Sequence, residues 1–407
     1  MSDITVAQLV EKKKLRVEDG NHGNDRPRSH EFVDHGVNFI RAADMTSGKV
    51  DFSNSEKIDA TAFNRIRKGI GEPGDVLVTH KGTIGKVAFV SDEAPEFVCS
   101  PQTTFWRSLD QDYLNQSFIG YWLKSTEAQQ QFRVLGGQSD MAPYVSLTSQ
   151  RSMTITVPEV SRQRAIADVL GALDDKIAAN ERLSGAVQDL LQERFALLRL
   201  DGFTGDGSFL TVSDLFDVNP RTSQKLAGQA PYLGMKDLPD SSMTVGSWST
   251  REAKSGARFI NGDVLLARIT PCLENGKAGY VDFLENTEVG VGSTEFIVFR
   301  ARSPLLSAVP FFLTKSERFR DFAIKHMQGT SGRQRLAAAD VADYRLAKVD
   351  DESLNRFGEL SLSLLKRVKT AVSESRALAR TRDELLPLLM NGKITVKDAE
   401  AVVSDAV

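Results

Sequence analysis

The stretch IADVLGALDDKIAANERLSGAVQDLLQERFALL, Ile166–Leu198, decides the fold of this chain. Positions spaced alternately by four and three residues from Ile166 are apolar in seven cases out of ten. A period of 3.5 residues is the seam of a coiled coil. The same spacing, shifted by 191 residues, runs through Phe357–Leu389 and is again apolar in seven cases of ten. Neither helix can bury its stripe alone, so we expect the two to pack on each other, antiparallel.

An internal repeat surrounds these two helices. Three short motifs occur twice, in the same order and with offsets of 188 to 191 residues. The pairs are GDVL at Gly74–Leu77 and Gly262–Leu265, GKVAFV at Gly85–Val90 with GKAGYV at Gly276–Val281, and YWLKSTEAQQQF at Tyr121–Phe132 with FFLTKSERFRDF at Phe311–Phe322. Shared order and a nearly constant offset predict that the chain contains two copies of one domain.

The predicted fold is of the α+β class, with two repeated mixed α/β domains separated by a long antiparallel two-helix coiled coil. Short strands with glycine-rich turns are predicted in each copy, followed by helices at 116–133 and 307–326. The alternative is that each long helix packs on its own domain, although about 38 helical residues extend roughly 57 Å, longer than such a domain. The predicted boundaries are 1–157 and 205–350 for the domains, 158–200 and 352–392 for the helices, and 393–407 for a tail.

Composition restricts the class of protein. The chain has 407 residues, of which 41% are hydrophobic and 26% charged, as in soluble globular proteins with cores. No stretch is long and apolar enough for a membrane span, and no secretory signal is recognisable, so we expect a cytoplasmic protein. Two cysteines and five scattered histidines have no metal-ligand spacing. The net charge of −3 is not that of a basic protein, but Arg302–Arg335 carries a local charge of +5.

Three stretches resemble the specificity subunits of type I restriction-modification enzymes. Ile155–Ile177 (ITVPEVSRQRAIADVLGALDDKI) is similar to the central spacer of that family, and Arg382–Ile394 (RDELLPLLMNGKI) to its C-terminal helix end. ARITPCLENGKAGYV with GSTEF, in Ala267–Phe296, resembles one of its target-recognition domains. The second helix departs from the pattern, because Leu354–Phe357 replaces the Gln-x-x-Ile run of Gln163–Ile166.

The resemblance implies a subunit without catalytic residues of its own. Each globular domain would read one half of a split site in double-stranded DNA, and the helices would fix the gap between the halves. Two methyltransferase subunits, and later restriction and translocase subunits, would dock on the chain. S-adenosylmethionine and ATP would bind to those partners, so no cofactor is expected here. The residues expected to bind partners are Gln163, Ile166, Leu170, Leu173, Ile177, Leu364, Val368, Leu378 and Leu385.

Loops and turns supply the candidate DNA contacts, because helices and strands are occupied with packing. Arginine pairs well with guanine and glutamine with adenine in the major groove, which favours the Gly329–Arg335 segment. The candidates in the first copy are Asn21, His22, Asn24, Arg26, Arg28, Thr79, His80, Lys81, Gln138 and Ser139. The candidates in the second copy are Arg221, Lys225, Arg268, Thr270, Ser331, Arg333, Gln334 and Arg335.

Two rival functions remain open at this point. One is an enzyme acting alone. Asn219-Pro220-Arg221 lacks the second proline and the aromatic residue of an amino-methyltransferase loop, and neither Gly-Lys pair continues as a P-loop. Pro239-Asp240 followed by Glu252-Ala253-Lys254 imitates a metal-dependent nuclease signature, but the first copy has no counterpart. The other rival is a coiled-coil scaffold that holds proteins together and does not touch DNA.

Overall fold

The computed structural model describes residues 2–137, 143–202, 208–222, 228–252, 255–285, 287–330 and 332–406. Gln138, Ser139, Lys225 and Ser331, all candidate DNA contacts, lie outside the described residues. The chain forms two compact units. Unit 1 comprises Met1–Ile177 with Arg376–Val407, and unit 2 comprises Ala178–Ser375. This division differs from the predicted boundaries, because each unit combines a globular part with a portion of each long helix.

The globular part of unit 1 is a mixed α/β structure. One sheet has the strand order β2-β12-β9-β10-β6-β5, a second has β3-β7-β4-β11-β8, and β1 pairs with β13. The strands are β1 (Ser2–Thr5), β2 (Leu15–Asp19), β3 (Phe32–Val33), β4 (Val37–Ile40), β5 (Met45–Thr46), β6 (Lys49–Val50), β7 (Glu56–Ile58), β8 (Ile70–Gly71), β9 (Val76–Lys81), β10 (Thr83–Phe89), β11 (Phe97–Cys99), β12 (Thr103–Ser108) and β13 (Thr154–Val157). The helices are α1 (Val6–Glu11), α2 (Ala60–Arg65), α3 (Gln116–Lys124), α4 (Thr126–Gly136) and α5 (Leu147–Ser152).

The first long helix, α6 (Val160–Leu198), leads into unit 2. The sheets of unit 2 have the orders β15-β22-β19-β20 and β17-β16-β21-β18, and β14 pairs with β23. The strands are β14 (Phe209–Thr211), β15 (Phe216–Val218), β16 (Gln229–Leu233), β17 (Ser249–Glu252), β18 (Ala257–Phe259), β19 (Val264–Ala267), β20 (Ala278–Tyr280), β21 (Gly290–Gly292), β22 (Phe296–Ala301) and β23 (Arg345–Ala347). The helices of unit 2 are α7 (Val212–Leu215), α8 (Val309–Lys315), α9 (Glu317–Lys325) and α10 (Ala338–Ala342). The second long helix, α11 (Asp351–Met390), begins in unit 2 and ends in unit 1, to which α12 (Val396–Ala406) also belongs.

The two copies share a buried ion pair, and this pair explains the repeated GDVL motif. In unit 1, Arg107 donates from Nε and Nη2 to the two carboxylate oxygens of Asp75, at 2.7 Å each. In unit 2, Arg300 binds Asp263 in the same way, at 2.8 and 2.7 Å. Both aspartate side chains are at most 1% exposed. The strands also correspond, since β9 lies between β10 and β12 as β19 lies between β20 and β22. The predicted duplication is therefore present in the fold.

Each helix predicted at 116–133 and 307–326 is interrupted by a serine. Ser125 and Ser316 have extended backbone angles, and each accepts a hydrogen bond from a main-chain N–H three residues on. A serine in that position caps the start of a new helix, so α3 ends where α4 begins and α8 ends where α9 begins. The prediction of single helices was wrong at this point. The apolar periodicity continues across the break, which is why the pattern alone did not locate it.

The long helices α6 and α11 contact each other within each unit. In unit 1, Arg382 Nη1 donates to Asp174 Oδ1 at 2.5 Å, and Tyr121 donates to the other oxygen of Asp174 at 2.9 Å. In unit 2, Asn180 Nδ2 donates to the carbonyl of Ala371 at 3.2 Å. A second pair in each unit gives the direction: Arg162 Nη2 donates to the carbonyl of Leu389 at 3.5 Å in unit 1, and Phe195 packs against Phe357 in unit 2. Within each unit higher numbers on α6 therefore meet lower numbers on α11, and the helices run antiparallel.

The buried positions of both helices follow the predicted 3.5-residue spacing, with one exception. On α11 every predicted seam position is buried or half-buried. On α6 the same holds except at Arg194, which is exposed, while its neighbour Phe195 is 1% exposed. Phe195 packs against Phe312 and Phe357, with ring centroids 6.2 and 6.1 Å apart. Each helix therefore packs both on its partner helix and on the globular part of the unit.

The last residues of the chain do not form a simple tail. Helix α12 begins after Thr395, whose hydroxyl accepts from the main chain of Asp398 at 3.2 Å. Ala399 is fully buried and belongs to the core of unit 1, with Val396 and Val403 packed against that core. No helix in the described ranges combines the length and the apolar composition that a membrane span needs.

Candidate nucleic-acid interface

Arg268, in the turn after β19, lies beside a glutamate and a second arginine. Arg268, Glu295 and Arg335 are here called the arginine cluster. Arg268 Nε donates to Glu295 Oε2 at 3.1 Å. Arg335 donates to both oxygens of the same carboxylate, at 2.9 to 3.0 Å. These side chains are 22 to 43% exposed, so solvent and a ligand can reach them. The two hydrogen-bonded arginines lower the pKa of Glu295, with Arg335 the stronger influence, so its carboxylate is charged at neutral pH.

Main-chain hydrogen bonds bring four of the predicted second-copy residues together. The N–H of Thr270 donates to the carbonyl of Gln334 at 3.1 Å, and the N–H of Leu336 donates to that of Arg268 at 2.9 Å. Arg335 exchanges two main-chain hydrogen bonds with Gln328, at 2.8 and 3.0 Å, and this places Arg333 in an exposed turn. Residues separated by more than sixty positions in sequence thus share one surface, as the prediction of a DNA contact at this turn requires.

The same backbone arrangement occurs in unit 1 with different side chains. The N–H of His80 donates to the carbonyl of Gln102 at 2.9 Å, as that of Arg268 donates to Glu295 at 3.0 Å. Lys81 forms a β-bridge with Tyr144, as Ile269 does with Arg335. The positions of the arginine cluster therefore correspond to His80, Gln102 and Tyr144.

Three predicted DNA contacts of the first copy are buried. Thr79 is fully buried, and its hydroxyl accepts from the N–H of Lys86 at 3.0 Å. His80 is 2% exposed and lies 3.0 Å from the carbonyl of Val145 through Nδ1. Asn21 is 1% exposed. Their side chains face the domain interior, so they are not DNA contacts in this conformation, whereas Lys81 next to them is exposed.

The polar loop at 20–30 presents four of its five candidate residues to solvent: His22, Asn24, Arg26 and Arg28. A buried ion pair holds the end of this loop. Arg65 donates to the two oxygens of Glu31 at 2.8 and 2.6 Å and to the carbonyl of Arg26 at 3.1 Å. Glu31 also accepts from the N–H of Arg28 at 2.7 Å. The exposed arginines thus project from a fixed backbone.

Replacing Glu31 by glutamine is expected to reduce the acid sensitivity of unit 1. Hydrogen bonds from Arg65 and from the main chain of Arg28 lower the pKa of Glu31 from 4.5 to about 2. A carboxylate with a lowered pKa stabilises the fold above the unfolded value, and this contribution is lost as the pH falls from 4.5 to about 2. Melting temperatures measured across that interval should therefore fall more steeply for the native chain than for Glu31→Gln. Equal slopes, or a Glu93→Gln control that behaves like Glu31→Gln, would contradict this.

Arg221 lies in a cleft of about 520 Å³ in unit 2. The cleft is also lined by Arg258, Thr222 and Thr294, the residue before Glu295. The predicted contact Arg221 is therefore exposed near the same turn as the arginine cluster. The nuclease-like residues give no comparable site: Asp240 Oδ1 lies 3.4 Å from Lys277, Glu252 is on β17, and Lys254 is outside the described residues. In the described part of the chain, no three acidic, histidine or cysteine side chains are arranged to hold a metal ion.

The residues expected to bind partner subunits are mostly occupied inside the chain. Gln163 is fully buried: it donates to the carbonyls of Tyr113 and Pro158 and accepts from the N–H of Asn115, at 2.8 to 2.9 Å. The apolar residues of the set form the contact between the long helices and the cores. Those that are buried are Ile166, Leu170, Leu173, Val368, Leu378 and Leu385, and those that are half-buried are Ile177 and Leu364. The buried side chains pack within the chain and are not accessible to a partner in this conformation, whereas the assignment of the half-buried Ile177 and Leu364 stays a prediction.

Glu295, Gln102 and Tyr144 were not among the predicted contacts. Glu295 lies in the GSTEF motif, but it was not chosen as a candidate because an acidic side chain is not expected to contact the DNA phosphates. Only its hydrogen bonds to two arginines show its place in the surface. Gln102 and Tyr144 have no sequence signal, since they correspond to Glu295 and Arg335 through strand register alone.

The comparison with protein families identifies part of the chain. Residues 21–188 match the family described as type I restriction modification DNA specificity domain. This segment is similar to a type I DNA specificity domain. It spans most of the globular part of unit 1 and the first three-quarters of α6. The unit 2 copy repeats the fold of the specificity domain, with the same ion pair and the same turn geometry.

Curated relatives match the chain over limited segments. The specificity subunit of the type I restriction enzyme EcoAI from Escherichia coli is 30% identical over 134 residues, 31% of this chain and 22% of that protein. The specificity subunit of the HindI enzyme from Haemophilus influenzae is 24% identical over 164 residues, 39% of this chain and 34% of that protein. The matches thus span about a quarter to a third of the relatives' length.

A solved structure shares the fold over nearly the whole chain. It is the crystal structure of the S subunit of a type I restriction-modification system from M. genitalium. The TM-score is 0.56 at 15% identity, and the match covers 95% of each chain. The likeness therefore includes the second copy and helix α11, which the family match does not reach.

Proposed function

We propose that this chain is the DNA-reading specificity subunit of a type I restriction-modification complex. It binds double-stranded DNA at a split site, one half for each copy of the specificity domain, and has no catalytic activity of its own. The observation that carries the proposal is the turn that occurs in both copies with the same backbone hydrogen bonds and different side chains. A repeated frame with different polar groups is what two half-sites of different sequence require.

The long helices are proposed to set the distance between the half-sites. Half-sites on one face of B-DNA lie about one turn, roughly 34 Å, apart. Two antiparallel helices shared by both copies supply a stiff element for that purpose. The half-buried pair Asp174–Arg382 and the buried hydrogen bond from Asn180 to the carbonyl of Ala371 support this, because polar contacts in an apolar seam favour one register over others.

Two methyltransferase subunits and the restriction and translocase subunits are the proposed partners, and they bring S-adenosylmethionine and ATP. The buried seam leaves the outer face of α6 for docking. On that face Leu183, Leu190 and Leu197 recur every seven residues and are 38%, 38% and 72% exposed. Exposed leucines at that spacing form an apolar stripe of the kind that a partner helix covers.

The proposal is tested by co-expressing the chain with methyltransferase subunits of a type I complex and mapping methylated adenines across the genome. A split motif with a gap of constant length is expected. The rival functions make different predictions. A nuclease or methyltransferase acting alone would cut or methylate DNA as the purified chain, and a scaffold would bind the partner subunits but shift no duplex in a gel. A continuous motif, or no motif, would refute the proposal.

Replacing Arg333 and Arg335 together by alanine is expected to weaken DNA binding by the complex while the fold is kept, because both side chains are exposed. A lost base contact costs about 1–3 kcal/mol and relaxes one position of the site, whereas a lost phosphate contact weakens all sequences and lowers the salt dependence by about one unit of slope. Titration of cognate and unrelated duplexes at several salt concentrations separates the two. Arg302→Ala, at an exposed pair with Asp217, is the control. Undiminished binding by the double variant would exclude this turn from the interface.

A further inference from the structure

We infer that the arginine cluster reads a guanine in the half-site of unit 2: Arg268 contacts the base, and Glu295 and Arg335 position it. The inference rests on the proposed function and names the base that this surface recognises. It also assigns the exposed residues at the corresponding positions of unit 1, Gln102 and Tyr144, to a different base pair.

The hydrogen bonds within the arginine cluster distinguish the base-reading arginine from the positioning one. Arg335 binds the carboxylate of Glu295 through Nε and Nη2, so the edge of its guanidinium that carries these two nitrogens faces Glu295. Arg268 uses only Nε on Glu295. Its two terminal nitrogens have no hydrogen-bond partner within the described residues. Two neighbouring N–H donors match the O6 and N7 acceptors that guanine presents in the major groove. Arg268 is thus the residue equipped to read the base.

The backbone of Arg268 is fixed on both sides, which a base-reading side chain requires. Its N–H donates to the carbonyl of Glu295 at 3.0 Å, and its carbonyl accepts from the N–H of Leu336 at 2.9 Å. Glu295 then holds the guanidinium from the side. A carboxylate that binds one edge of an arginine reduces the number of conformations that must be ordered on binding DNA. Glu295 is therefore a positioning residue.

Charge also favours DNA at this surface. Two guanidinium groups and one carboxylate leave a net charge of +1, and the turn at Arg333 adds another. The pKa of Glu295 lies below its usual value, so the carboxylate stays charged and keeps its hold on both arginines at neutral pH. An unpaired glutamate would instead repel the phosphates.

Unit 1 cannot read guanine in the same way. Position 295 corresponds to Gln102, which has no charge to hold an arginine, and position 268 corresponds to His80, which is 2% exposed. The His80 ring lies 5.4 Å from that of Tyr144. The two copies therefore recognise different bases through one backbone frame, and the split site is asymmetric.

The test uses the complex with its methyltransferase subunits and the methylation motifs of Arg268→Ala, Glu295→Gln and Glu295→Asp. The native motif should contain a G·C pair in one half that Arg268→Ala relaxes. The discrimination at that position should fall roughly 5- to 140-fold, the equivalent of about 1–3 kcal/mol for a bidentate base contact. Glu295→Gln should lower discrimination at the same position alone, and Glu295→Asp should restore part of it. Arg302→Ala should leave the motif unchanged, and melting curves check that each variant is folded.

Several results would overturn the inference. The relaxed position could be an A·T pair, or Arg268→Ala could weaken methylation of all sites equally, which would make Arg268 a phosphate contact. An unchanged motif in both Arg268→Ala and Glu295→Gln would also refute it. In these cases the native chain still yields a split motif, so the proposed function stands. If the native chain yields no split motif, both fail.

Discussion

Replacing Asp75 by alanine is expected to lower the free energy of unfolding by about 3–5 kcal/mol, the range for removing one partner of a buried ion pair. The Asp75 side chain is fully buried, and Arg107, which binds both of its oxygens, is 12% exposed. Burial raises the pKa of Asp75 even though Arg107 opposes the shift, which shows how strongly the site is shielded from water. Without the carboxylate, Arg107 keeps its ion pair with the exposed Glu72 and its contact with the Phe105 ring, and the N–H of Glu72 loses its acceptor.

Denaturant unfolding of the chain measures this effect, with Arg16→Ala as the control. Arg16 lies opposite Arg107 on β2, but its side chain is 48% exposed and contacts Glu18 and the ring of Phe105. Its loss should change stability by less than about 0.5 kcal/mol. Replacing Asp75 and Arg107 together by leucine should cost less than Asp75→Ala, because no buried charge is left unpaired. A loss below 1 kcal/mol for Asp75→Ala would show that Arg107 reaches water instead.

Phe195→Ala is expected to destabilise unit 2 by about 3–5 kcal/mol, the range for deleting a buried aromatic side chain. Phe195 is 1% exposed and joins α6 to both α8 and α11, through Phe312 and Phe357. The cavity left by the ring would be bounded by parts of three helices that are anchored elsewhere in the core. Such a site collapses little, so the loss should lie toward the upper end of the range.

Leu197→Ala supplies a matched control for this prediction. It lies two residues further along the same helix, and 72% of its side chain is exposed. Its replacement should change stability by no more than about 0.5 kcal/mol, since alanine also favours helix. Thermal unfolding monitored by circular dichroism compares the two variants. Similar losses for both would mean that the effect comes from the helix itself and not from the packing of Phe195.

Much of the architecture followed from local patterns in the chain. The 3.5-residue spacing located two long helices, because a repeated apolar stripe must be buried by a partner of the same period. The repeated GDVL motif identified two copies of one domain, and its aspartate proved to bind an arginine in both. The spacing misplaced one position, Arg194, because the buried residue there is its neighbour Phe195, which packs against Phe312 of α8.

The candidate site was predicted in part. The sequence placed candidate contacts in the turns after GDVL in both copies, because a strand that ends in a polar turn presents side chains to its surroundings. In unit 1 these residues lie within β9 itself, and the role of both segments in DNA binding stays a prediction. Whether those side chains are exposed depends on what packs across the turn. Val145 covers His80 in unit 1, while the segment at Arg335 leaves Arg268 half-exposed in unit 2. Burial at a turn is a property of distant neighbours, which no local pattern encodes.

The sequence by itself determined the duplication, the two helices and the turns that carry polar residues, since each depends on spacing or on residue type within a short window. Only the tertiary structure decided which of those side chains form one surface. Glu295 is 27 residues from Arg268 and 40 from Arg335, and it meets both because strand pairing aligns their backbones. Hydrogen bonds between strands fix such register over long separations, so Arg268, Glu295 and Arg335 come together only when the sheet has formed.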